Sequence, residues 1–305
     1  MDNHTTEFLL LEFSKIWELQ VIYVTLLLIL YLMMVTGNLL IIIAVVFDHH
    51  LHTPMYFFLM NLAMQDIGSV SVIIPKAVFN CLMNTRHISY SGCVAQVLLF
   101  VFFLSSEVAL LTVMAYDRFV AICSPLQYEV IMNRNACSIM VESMWIASFL
   151  NAALHTIFTF TIPFCSNIIN QFYCEIPHLL NIACSDSYIT ELGVQMFSIT
   201  LGFGCFLFIV VTYVKIFLAV LRIPSGQGRK KSFSTCLPHL IVFSVYFFTG
   251  CFAYVRPTSN SPSDLDFVIT IMYSIIPPML NPLIYSMRNK ELKATVSKLL
   301  WSFLF

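Results

Sequence analysis

Met114-Ala115-Tyr116-Asp117-Arg118-Phe119-Val120-Ala121-Ile122-Cys123 sets an acid and an arginine side by side at the end of a long uncharged run. From Cys93 to Tyr116 the only acidic or basic side chain is Glu107. Charges arriving together after such a run mark the point where a membrane helix meets water, because either one would be costly inside hydrocarbon. Taken alone, the pair also fits an arginine snorkelling to lipid headgroups, so the rest of the chain has to decide.

Hydrophobic residues make up 59% of the 305 residues and charged residues 10%, against roughly 25% charged in a soluble domain. Segments at roughly 21–47, 55–80, 94–116, 139–162, 192–214, 232–255 and 267–287 carry at most one or two acidic or basic groups each. Each is long enough to cross about 30 Å of hydrocarbon at about 1.5 Å per residue. Seven crossings put the termini on opposite sides. Arg118, Arg134, Lys215, Arg222, Arg229, Lys230, Lys231, Arg288, Lys290, Lys293 and Lys298 fall on one side, and Lys15, Lys76, Arg86 and Arg256 on the other. That asymmetry predicts a cytoplasmic carboxyl terminus and an extracellular amino terminus.

The formal net charge of −1 gives no reason to expect nucleic acid or an acidic partner. No cleavable signal pattern precedes the first segment, which is expected to insert and stay. Asn3-His4-Thr5 is a glycosylation acceptor on the side read as external. A single domain over 1–305 is expected, with 1–20 outside, 21–288 as the helix bundle and 289–305 as a cytoplasmic tail. Charges and apolar residues at helical spacing make Lys290 to Phe305 an amphipathic helix on the inner leaflet.

Several polar groups lie at membrane depth. Asn38 is roughly 14 Å inside the first segment, Asp66 about 18 Å inside the second and Glu107 about 16 Å inside the third. Two acids at one depth must share protons, hold a cation or meet donors such as Asn38 and Asn281; protonated, hydrogen-bonded structural carboxyls are the alternative. His155, near the outer end of the fourth segment, reads as a hydrogen-bonded structural residue. Cys93, Cys165, Cys174 and Cys184 all face the oxidising side, where four cysteines allow three pairings and spacing cannot choose among them. Zinc is a weaker reading, since the spacings suit no closed tetrahedral site. Cys81, Cys123, Cys137, Cys205, Cys236 and Cys251 are expected to be free thiols.

The motifs carry a family resemblance. The opening stretch resembles the Asp-Arg-Tyr switch of rhodopsin-like G-protein-coupled receptors, and its extended form resembles the olfactory receptor signature MAYDRYVAIC, with Phe119 in place of Tyr. Leu51-His52-Thr53-Pro54-Met55-Tyr56-Phe57-Phe58-Leu59 is similar to the LHTPMYFFL of the same family, and Pro54 suits the first turn of a helix. Lys231 to Leu240 resembles KAFSTCxSHL, with Pro238 for Ser and hence an expected kink. Tyr246-Phe247-Phe248-Thr249 stands where Phe-Tyr-Gly-Thr is usual. Pro278 to Asn289 resembles PMLNPxIYSLRN, and Pro282 is expected to weaken its helix.

The resemblance implies an all-α membrane protein, a seven-transmembrane helix bundle with a short amphipathic helix after the seventh. It implies no enzyme, and no nucleophile–base pair or metal motif is recognisable. A secondary transporter is the different-class alternative, but it calls for an internal hydropathy repeat that is not seen. The implied function is an odorant receptor of the plasma membrane that takes a small volatile odorant and a heterotrimeric stimulatory G protein, raising cyclic AMP, with lipid as its surroundings. No cofactor is implied beyond a possible sodium ion at Asp66 and Glu107. The implied disulfides are Cys93 with Cys174 and Cys165 with Cys184.

Coupling and switching fall by resemblance on Asp117, Arg118, Tyr213, His239, Asn281, Pro282 and Tyr285. A small, mostly apolar ligand is expected in the outer half of the bundle. Phe100, Val101, Leu104, Ser105 and Val108 share one helical face. Family alignment sets Phe197, Leu201, Phe247, Cys251, Tyr254 and Ser274 across from it.

Overall fold

Local sequence signals start several helices where they are expected. Pro54, which lacks the N–H that a first turn leaves unpaired anyway, begins α2 (Pro54–Leu82). Ser89 accepts from Gly92 N at 3.1 Å and caps α3 (Tyr90–Cys123). Asn133 accepts from Ala136 N at 2.9 Å and caps α5 (Arg134–Phe160).

In this computed structural model, residues 7–11, 16–184, 189–221, 226–255, 264–288 and 290–304 are described. Side chains are described for these except 189, 226–236, 238, 239, 254, 255, 264–267, 283, 285–288, 290 and 300–304. In order, β1 (Glu7–Leu9) precedes α1 (Trp17–Phe47), and β2 (His87–Ser89) joins α2 to α3. The short α4 (Tyr128–Ile131) precedes α5, and α6 (Ile176–Leu180) precedes α7 (Ile189–Leu221). Then come α8 (Gly226–Val255), α9 (Asp264–Ser274), α10 (Ile276–Arg288) and α11 (Lys290–Leu304).

Among the described residues, α1, α2, α3, α5 and α7 are long and apolar enough to cross a membrane. Leu240–Ala253 within α8 and Val268–Pro282 across α9 and α10 supply the remaining apolar passages. The chain is therefore a seven-helix membrane bundle, with α11 folded against one end. Apolar side chains on α1, such as Leu26, Ile29, Leu32 and Met33, stay exposed, as a hydrocarbon-facing surface requires.

One helix departs from expectation. The seventh passage breaks at Ile275, not at Pro282. Pro277 and Pro278 follow the break and offer no N–H to the preceding turn, whereas α10 continues through Pro282. Pro238, expected to kink its helix, falls within α8, and its side chain lies outside the described residues.

The two ends differ. At one, β1 pairs antiparallel with β2, Phe8 opposite Ile88. Leu9 N also donates to Asn167 O at 2.7 Å, and Ile169 N donates to Leu9 O at 2.8 Å. The loop between α5 and α7 is thus stitched to the amino-terminal strand, and Phe8 is fully buried among Tyr90, Ile88 and Phe164. At the other end Leu292 of α11 is fully buried in the main core with Tyr56 and Leu51.

Candidate functional site

Beneath the β1–β2 cap lies a cavity of about 370 Å³ walled by α3, α5, α7 and α8, with Ile176 of α6 at its edge. Of the residues expected to hold a ligand, Val101, Leu104, Ser105, Val108, Leu201, Phe247 and Cys251 line it. Phe247 packs flat against Phe206, with ring centroids 5.0 Å apart.

Three others are placed elsewhere. Phe100 is buried against Tyr173, centroids 5.3 Å apart, in a neighbouring aromatic cluster. Phe197 points outward, 59% exposed. Ser274 is buried and donates to Thr270 O at 2.5 Å, closing on its own helix. The Tyr254 side chain lies outside the described residues.

The sequence reading passed over the polar side of this cavity, which Asn151, His155, Gln195 and Ser198 supply. Asn151 and His155 are four apart on α5, and Glu191, Gln195 and Ser198 follow one face of α7. That spacing was the available signal. His155 is hydrogen-bonded at both ring nitrogens, as a structural residue would be, yet it also stands in the wall.

Two disulfides fasten the cap. Cys93 of α3 is joined to Cys174, with Cα atoms 5.5 Å apart, and Cys165 to Cys184 at 4.7 Å. Beside the first, the Gln96 amide donates to Val72 O and accepts from Cys174 N, both at 2.8 Å. All four cysteines are consumed and leave no thiolates for zinc. Cys81, Cys123, Cys137, Cys205 and Cys251 are in neither disulfide. The Cys236 side chain and Asn3 lie outside the described residues.

Asp66 and Glu107 are both buried. Asn281 Nδ2 donates to both carboxylate oxygens of Asp66 at 3.1 Å, and Glu107 lies beside Asn281 and Tyr246. Asn38 does not join them: its Nδ2 donates to Met34 O and Pro278 O, at 3.1 and 3.3 Å. Glu107 Oε1 and Asn281 Oδ1 are buried without a hydrogen-bond partner among the described residues.

At the end away from the cap, buried Asp117 accepts from Tyr128 Oη at 2.8 Å, while Arg118 Nε stays 4.0 Å from its other oxygen. Burial, and then the Asp117 carboxylate, push the Tyr128 phenol well above the ordinary tyrosine range. Phe119 lies under the Lys215 ammonium, 5.8 Å from the ring centroid. Tyr213 is buried with its ring 6.2 Å from Phe217. Pro282 packs on Gly37, where an added β-carbon would come within 3.3 Å of it. The side chains of His239 and Tyr285 lie outside the described residues.

Asp48, just past α1, accepts from Thr295 Oγ1 of α11 at 2.6 Å. That hydroxyl, then the His50 backbone N–H, hold the Asp48 carboxyl below the usual carboxylate range. Tyr56 Oη donates to Glu291 at 2.9 Å, a second tie to α11.

Seven apolar helices enclosing a capped cavity, with an Asp-Arg pair and an Asn-Pro-x-x-Tyr sequence toward the far end, are the plan of a seven-helix membrane receptor. The family model described as olfactory receptor matches residues 27–302. Olfactory receptor 14I1 of Homo sapiens is 49% identical, over 98% of this chain and 97% of its own length. Olfactory receptor 14A16 of Homo sapiens is 45% identical over 97% and 96%, and Olfactory receptor 1G1 of Gorilla gorilla gorilla 43% over 97% and 95%. The chain belongs to the olfactory receptor family, and it is a receptor rather than an enzyme.

Proposed function

We propose that this receptor binds a small, mostly apolar volatile ligand in the cavity between α3, α5, α7 and α8, and that binding activates a stimulatory olfactory-type G protein and raises cyclic AMP. The supporting observation is the cavity itself: Val101, Leu104, Val108 and Phe247 give an apolar wall, and Ser105, Asn151 and Ser198 give a few polar groups able to orient a ligand. A ligand preferring the active arrangement of α3, α7, α8 and α10 shifts the population toward it, and the far end then admits the G protein.

In this reading the chain is one receptor domain in the plasma membrane. The cap and glycosylated Asn3 lie outside the cell, and α11 lies on the cytoplasmic leaflet. Arg118 is the coupling residue, with Asp117, Tyr213, His239, Asn281, Pro282 and Tyr285 as its switch partners.

Asp66, Glu107 and Asn281 offer only oxygens, two of them buried without a partner, which suits a hard cation such as sodium. A bound sodium would supply positive charge between the two carboxyls. Asn281 orients Asp66 in either case.

The experiment is a ligand panel read out as cyclic AMP in cells with and without the stimulatory olfactory G protein, alongside Arg118→Ala. The expected result is a ligand-evoked rise that needs both the G protein and Arg118. Full signalling from a well-expressed Arg118→Ala receptor would refute the coupling role.

A further inference from the structure

One wall of the cavity is a chain of hydrogen bonds crossing three helices. Glu191 Oε1 on α7 lies 2.5 Å from His155 Nδ1 on α5, and His155 Nε2 lies 2.9 Å from Ser198 Oγ on α7. Ser198 Oγ donates to Asn151 Oδ1 at 2.8 Å, and Asn151 Nδ2 donates to Ser105 Oγ on α3 at 3.0 Å. His155, Ser198, Asn151 and Ser105 all line the cavity, while Glu191 is fully buried.

The hydrogens along this chain can be counted. Ser198 has one hydroxyl hydrogen and gives it to Asn151, so His155 Nε2 must donate the hydrogen that joins it to Ser198. Nδ1 then meets Glu191 either as an N–H facing a carboxylate or as the acceptor from a carboxylic acid. In both cases the pair holds two protons and is neutral overall. Reversing every bond would leave a single proton, on Nδ1, and a net negative charge. Glu191 Oε2 is buried without a hydrogen-bond partner among the described residues, and such a place disfavours that charge. With the Asn151 oxygen on Ser198 and its nitrogen on Ser105, the chain runs from His155 toward Ser105.

Ser105 is its last member. The oxygen accepts from Asn151, so the O–H is left to donate into the cavity. We infer that this receptor selects ligands bearing a carbonyl acceptor, a ketone, aldehyde or ester, over the alcohol or hydrocarbon of the same skeleton, because the relay presents Ser105 as a hydrogen-bond donor. A hydrocarbon leaves the Ser105 O–H unpaired. An alcohol makes one hydrogen bond with the Ser105 oxygen in either sense, and that always leaves one of the two O–H groups unpaired. A carbonyl leaves none. The inference rests on the reading of this cavity as the ligand site.

The test is a panel of ketones, aldehydes and esters, each paired with its matched alcohol and hydrocarbon, for example menthone, menthol and menthane. Potency is read as cyclic AMP at equal surface expression. The carbonyl member of a pair should be about threefold to tenfold more potent than its partners. Ser105→Ala should erase that advantage, lowering carbonyl potency and raising hydrocarbon potency, because no O–H is then left unpaired. Ser198→Ala cuts the relay, frees the Asn151 amide to turn, and should shrink the advantage of carbonyl over alcohol. Glu191→Gln should keep it, because a glutamine N–H donates to Nδ1 as the acid does and leaves Nε2–H in place. Gly202→Phe, which fills the cavity, separates the two ideas: agonists that ignore it overturn the ligand-site reading. If Gly202→Phe silences agonists yet alcohols outrank carbonyls, or the carbonyl advantage survives Ser105→Ala, the relay is wrong. Silence of the surface-expressed receptor to every carbonyl in the panel also overturns it.

Discussion

The side-chain nitrogen of Asn281 is equidistant from the two carboxylate oxygens of Asp66, 3.1 Å from each, and so ties α10 to α2 in the middle of the bundle. Asn281→Leu leaves a buried carboxyl without this donor and should cost about 1–3 kcal/mol, seen as a lower unfolding temperature in detergent. Glu107→Gln tests whether the acids act together. It should flatten the dependence of signalling on both sodium and pH. A variant with both dependences intact would make the pair purely structural.

Tyr128→Phe removes the neutral donor that reaches Asp117. Asp117 stays buried, so the loss should cost about 1–3 kcal/mol of stability. Burial and Asp117 keep the phenol protonated past the ordinary tyrosine range, so this bond should not change between about pH 6 and 9. Thermal unfolding of both receptors across that interval is the check, and a gap between them that varies with pH counts against it.

The Asp48 carboxyl is held below its ordinary value by Thr295. A depressed folded-state value means that its contribution to docking α11 is fully present above the unfolded value of about 3.9 and is lost as pH falls through the folded one. Hydrogen exchange of the α11 amides should therefore be flat near neutrality and quicken below about pH 4. Thr295→Val should remove most of that acid step.

Gly68 and Phe103 meet where α2 packs on α3, so closely that a β-carbon at Gly68 would overlap the ring. Gly68→Ala should cost about 1–3 kcal/mol from overpacking. Adding Phe103→Leu should restore part of it. A double variant no more stable than Gly68→Ala alone would show that the ring is not the obstacle.

Hydropathy placed the helices well, because crossing hydrocarbon needs a run of about 20 apolar residues whatever its neighbours are. It said little about which way each side chain points. Lipid is as apolar as the interior, so Phe197 on the outside and Phe247 in the wall look alike in sequence. Polar residues narrow that ambiguity: depth pairs Asp66 with Glu107, and of the two donors expected there Asn281 reaches Asp66 while Asn38 turns to Met34 and Pro278. Applied to Asn151, His155, Gln195 and Ser198, the same logic exposes the polar wall. The break at Ile275 was legible in Pro277-Pro278, but the neighbouring Asn-Pro-x-x-Tyr drew the reading to Pro282. The strands β1 and β2 are three residues each, too short for alternation to stand out, and they are placed by pairing with each other and by the bonds of Leu9 to the loop from α5 to α7.

That cap has a consequence for how the molecule is made. Leu9 is synthesised long before its backbone partners Asn167 and Ile169, and Cys93 must wait for Cys174. β1 can meet β2 once two crossings are made, but its edge toward Asn167 and Ile169 is closed only after the fourth. A receptor halted before that point exposes Phe8 and the free edge of β1 to whatever surveys unfinished chains. The outer surface therefore closes on a strand made well before the loop that covers it.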